Sequence, residues 1–87
     1  MTIKELVEKY IKNTQQAFQQ IQKDKGLHRR RGEKVLDHAK RYLEDAIYYR
    51  DQKRFETALA SVAYCEGLLD ALKLLEMVEF QWQTINK

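Results

Sequence analysis

Apolar residues return every three or four positions along two consecutive stretches, and that period leaves the chain little choice of secondary structure. Val35, Ala39, Tyr42, Ala46 and Tyr49 fall on one stripe, flanked by Leu36, Leu43 and Ile47. After a break at Asp51-Gln52-Lys53-Arg54, Phe55, Leu59, Val62 and Leu69 form a second stripe of large side chains. Such spacing lines one face of an α-helix, whereas a half-buried strand alternates with a period of two. Two helices folded back on each other are therefore expected around Asp51–Arg54. The chain contains no proline, so nothing in it forces a helix to stop.

The later helix carries a further stripe of small residues, Ala60, Ala63, Gly67 and Ala71. A helix with two apolar stripes calls for two neighbours. The small stripe is expected to let one neighbour approach near the low end of the roughly 8–10 Å interaxial range.

Upstream, Thr2 and Glu5 form a T-x-x-E capping box that starts a first helix. Ile3, Leu6, Val7, Tyr10, Ile11, Thr14, Ala17, Phe18 and Ile21 make its buried stripe, opposite a solvated face rich in glutamine. Gly26, with Lys23 and Lys25 in the last turn, ends it in the way unsatisfied carbonyls favour. The expected architecture is all-α: one domain over residues 1–87, an up-down-up three-helix bundle with helices at about 2–25, 33–50 and 54–81. In this reading the third helix is the longest, and its apolar end, Leu72 to Trp82, overhangs the second.

Asp45-Ala46 with Tyr48-Tyr49, Phe55 and Ala58, then Ser61, Ala63-Tyr64 and Gly67-Leu68-Leu69-Asp70-Ala71 resemble the signature of a small archaeal family of uncharacterised proteins, the domain-of-unknown-function 357 family. The resemblance is densest over Asp45–Ala71. It implies a three-helix bundle in an archaeal cytoplasm, and it implies no activity.

The chain has 87 residues and one cysteine, Cys65, so no internal disulfide and no cysteine metal cluster are available. Cys65 sits near the large stripe and reads as a small buried apolar residue. No apolar run approaches the ~20 residues needed to span a bilayer, and the charged N-terminal helix is no signal peptide. A cytoplasmic protein without membrane contact is expected.

The net charge of +3 is unevenly placed. Lys23–Lys34 holds six basic residues against two acidic ones, while the remainder is close to neutral. The connector at 26–32 carries Arg29, Arg30 and Arg31 beside His28. Arginine forks pair well with phosphate, and counterion release would favour RNA or DNA there. No aromatic is interleaved for base stacking.

Three further patterns bear on function. Arg31 and His38, in R-G-E-K-V-L-D-H, have a spacing similar to that of the HEPN family of helical ribonucleases; there the histidine would move a proton while the arginine holds a phosphate. Asp45, Tyr49, Tyr64 and Asp70 are candidates for a polar ligand groove between helices two and three. Tyr48-Tyr49 with Lys53-Arg54-Phe55-Glu56 and Ala58-Leu59 is similar to the turn of a tetratricopeptide repeat, but only one such helix pair is present. Nothing resembles a glycine-rich phosphate loop, a zinc site or a nucleophile triad, and no cofactor or metal is expected.

These readings favour a non-enzymatic interaction module using helix three, either as a homodimer through Leu68, Leu75, Val78 and Trp82 or with another protein. An RNA-associated protein using Arg29–Arg31 is the alternative, and a HEPN-like ribonuclease the third.

Overall fold

The computed structural model describes residues 1–23 and 32–82. Helices α1 (Ile3–Lys23), α2 (Glu33–Asp51) and α3 (Phe55–Leu74) follow one another. The capping box forms as the sequence requires: the Thr2 N–H donates to Glu5 Oε1 at 2.9 Å, and the Glu5 N–H donates to Thr2 Oγ1 at 3.1 Å. These bonds hold the Glu5 carboxyl below its usual range.

The helices run up, down and up. Ile3 lies in a depression with Lys53–Thr57, so α1 starts beside the α2–α3 turn. Phe18 and Gln22 share another with Lys40 and Leu43, so α1 ends toward the first half of α2. The core is drawn from all three: Val7, Ile11, Ala17 and Ile21; Leu36, Ala39, Leu43 and Ala46; Ala58, Val62, Cys65, Leu69 and Leu72. Each fully buried large side chain contributes roughly 1.5–3 kcal/mol. Thr14 is buried because its hydroxyl is satisfied by the carbonyls of Tyr10 and Ile11, at 3.1 and 2.9 Å.

The third helix departs from expectation in length. It has 20 residues and α1 has 21, so α3 is not the longest, and it stops at Leu74 instead of running to residue 81. The stop is a Schellman turn made without glycine. Glu76 takes a left-handed φ of 59°, its N–H donates to the Lys73 carbonyl at 3.0 Å, and the Met77 N–H donates to the Leu72 carbonyl at 2.9 Å. The same device ends α2, with Lys53 at φ 61° and the Arg54 N–H donating to the Tyr49 carbonyl at 2.9 Å.

From Met77 to Trp82 the chain folds back over the bundle instead of overhanging it. Val78 and Phe80 turn inward and are buried, while Glu79 and Gln81 face out, the alternation of an extended segment. Phe80 meets Trp82 edge-on at 4.7 Å, and Lys73 Nζ lies 5.0 Å from the Phe80 ring. The Gln20 side-chain amide fastens this tail: it accepts from the Gln81 N–H at 2.8 Å and donates to the Gln81 carbonyl at 3.1 Å.

The stripes also rotate. Leu36, Ala39, Leu43 and Ala46 centre the buried face of α2, leaving Val35 exposed and Tyr42 half-buried. Ile3 is exposed as well. On α3 the buried face is Ala58, Val62, Cys65, Leu69 and Leu72. The small stripe that was expected to receive a close neighbour faces away from both other helices: Ala60, Ala63, Gly67 and Ala71 are all exposed.

Candidate functional site: the outer face of α3

α1 and α2 each have a polar outer side, as helices packed on one side only should. α3 is apolar nearly all round, yet it buries only one side. Its outer side carries Ala60, Ala63, Gly67 and Ala71, with Leu74 83% and Leu75 65% exposed, and the exposed carboxylates of Glu56 and Asp70 stand along one edge. A Cβ built on Gly67 would meet no atom within 4 Å. Leucine can be exposed singly without consequence, but a helix-long apolar face is the kind of surface that marks a contact.

Tyr64 borders this face, about half exposed, with its ring 4.4 Å from that of Tyr42 on α2. The His38 ring follows at 6.0 Å from Tyr42. The border is thus a short aromatic row built across α2 and α3. Leu68, half-buried, lies on the same border of α3.

The four residues proposed for an interface divide. Leu68 and Leu75 are accessible; Val78 is 4% exposed and belongs to the chain's own core, and Trp82 is half-buried with its indole committed to Asp70. Of the four residues proposed for a ligand groove, Tyr64, Tyr49 and Asp70 each meet different partners. Tyr64 packs on Tyr42, Tyr49 on Tyr48 at 5.3 Å and beneath the Arg54 guanidinium at 4.9 Å, and Asp70 accepts from Trp82 Nε1 at 2.6 Å. Asp45 is exposed on α2. Arg29, Arg30 and Arg31 lie outside the described residues, and with them the arginine that His38 would need as a phosphate-holding partner. His38 itself is exposed.

Cys65 is fully buried, and burial, followed by the nearby Glu66 carboxylate, pushes its thiol up to about 12. A thiol so disposed is a packing residue, not a nucleophile. Burial first, and then Asp70, raises the Glu66 carboxyl above its usual value. Among the described residues no group of three or more His, Cys, Asp or Glu side chains is placed to hold a metal ion. Among the described residues no helix is long and apolar enough to cross a membrane.

Periodicity missed the outer face because it counts apolar positions without saying which stripe is covered. The signal that could have found it was present: alanine and glycine recur along α3 where a solvent-facing stripe is ordinarily polar, with only Glu56 and Asp70 as exposed charged residues of the helix. No curated protein and no solved structure matches the chain. The model of one family, described as "Protein of unknown function (DUF357)", matches residues 9–78, which is most of the chain and includes all of α2 and α3, and the protein belongs to that family.

Proposed function

We propose that the protein is a non-enzymatic interaction module whose docking surface is the outer face of α3. The observation that carries this reading is the exposure of Ala60, Ala63, Gly67, Ala71, Leu74 and Leu75 on a helix with apolar residues on every side. Leu68, from the interface first expected, borders that surface and joins it. The partner covers an apolar strip, so its complex survives high salt.

Gly67→Glu tests this directly. The added side chain enters open space in the isolated chain, so the fold tolerates it, but it places a charge in the middle of the docking strip. Wild-type protein is expected to associate, with itself or with a partner captured from its native lysate, at both low and high salt. The variant keeps its circular dichroism and loses that association. A variant that keeps every association of the wild type would overturn the reading.

The excess of basic residues in Lys23–Lys34 supports a second reading, attachment to a nucleic acid through Arg29, Arg30 and Arg31. Its signature is the opposite salt response: retention of RNA that weakens steeply as salt rises and is lost when all three arginines become alanine.

A further inference from the structure

We infer that the occupant of the α3 face is a second copy of this chain, lying antiparallel to the first about a two-fold axis that passes between Cys65 and Glu66. This rests on the docking surface argued above and names its partner. Thr57, Ala60, Tyr64, Gly67, Ala71 and Leu74 follow one another at spacings of three, four, three, four and three. That is the heptad seam of paired helices, and it lies on the exposed side, with only Thr57 partly covered.

The seam matches itself when reversed. In antiparallel register Ala60 faces Ala71, Thr57 faces Leu74, and Tyr64 faces Gly67. The alanine pairs let the two helices come close. The ring of Tyr64, about half exposed, meets the one seam position with no side chain, where a Cβ would touch nothing. A closed two-fold contact requires this kind of self-complementarity. In parallel register Gly67 would face Gly67 and Tyr64 would face Tyr64, leaving a gap beside a clash.

Charge selects the same orientation. Lys53 and Arg54 are exposed at the start of α3, with Asp51 and Glu56 also exposed there, and Glu76 and Glu79 are exposed just past its end. Antiparallel copies bring Lys53 and Arg54 of each toward Glu76 and Glu79 of the other, at two places related by symmetry. Parallel copies set like charges together.

Full-length Ala60→Cys and Ala71→Cys chains, each alone and as an equal mixture, test orientation and partner together under mild oxidation. The native Cys65 is buried and stays out of the reaction. The mixture is expected to form 60–71 linked dimers, with each variant alone linking at least tenfold less. Linking of Ala60→Cys to itself as readily as to Ala71→Cys would overturn the antiparallel pairing. A wild-type chain that sediments as a monomer at tens of micromolar would overturn the second copy as occupant. In that case the docking surface still stands if wild type holds a different protein that Gly67→Glu releases. It falls too if both hold the same set.

Discussion

The indole Nε1 of Trp82 donates to Asp70 Oδ1 at 2.6 Å, tying the C-terminal tail to the side of α3. The bond spans a reversal of the chain: Asp70 is on the last full turns of the helix, and Trp82 has returned past its end. With Gln20 holding Gln81 by both its N–H and its carbonyl, the tail is fixed at two adjacent residues.

Trp82 is the only tryptophan, so its emission reports the tail. Asp70→Ala removes the acceptor and leaves the half-buried indole N–H to water. We expect a red-shifted emission and a loss of about 1 kcal/mol in urea unfolding. Phe80→Ala, which empties a buried site in the same tail, is expected to cost about 3–5 kcal/mol.

The two described glycines respond in opposite directions to an added methyl group. Gly67→Ala fills open space on a helix interior and is expected to stabilise the dilute chain by roughly 0.5–1 kcal/mol. Gly32→Ala places a Cβ 2.8 Å from Leu72 Cδ2, and Leu72 is buried with little room to move. It is expected to lower the thermal midpoint. Thermal unfolding of both variants at low concentration checks the pair.

Both Schellman turns use a residue other than glycine in the left-handed region, Lys53 and Glu76. The left-handed conformation costs an ordinary L-residue roughly 1–2 kcal/mol. Glu76→Gly is therefore expected to raise stability in denaturant unfolding, by somewhat less than that cost because glycine also loses more backbone entropy on folding.

This explains why the end of α3 was not legible in the sequence. With no glycine or proline between Gly67 and Lys87, the pattern runs on through Leu72, Leu74, Leu75 and Met77 as though the helix continued. Tertiary burial of Val78 and Phe80 decides the stop instead. The α2–α3 hairpin was legible because a four-residue break interrupts two strong stripes. The capping box was legible because its two side chains are fixed by local spacing. The docking face was half legible: the small stripe was visible, but its exposure depends on where α1 packs, which no local pattern encodes.

Glu66 has a pH signature. Burial and Asp70 raise its carboxyl in the folded chain, so the folded state holds this proton more tightly than the unfolded state. Its effect on stability is therefore absent below the ordinary glutamate pKa, and stability falls as pH rises from there through the raised folded value. Glu66→Gln is expected to flatten that decline and to be more stable than wild type at neutral pH. Urea unfolding across the mildly acidic range measures it.

Cys65 is expected to resist thiol reagents in the folded chain, since it is buried with its pKa near 12. Labelling by a disulfide reagent then requires unfolding. The rate should rise by orders of magnitude in urea, and should rise in water for Phe80→Ala by about tenfold for each ~1.4 kcal/mol of lost stability.

Sedimentation equilibrium of the 87-residue chain, wild type beside Gly67→Glu, decides whether two copies pair through α3. Wild type is expected to form a concentration-dependent dimer that persists at high salt, and the variant a helical monomer. A wild-type monomer across the micromolar range, or a variant that dimerises as well as wild type, would contradict that pairing.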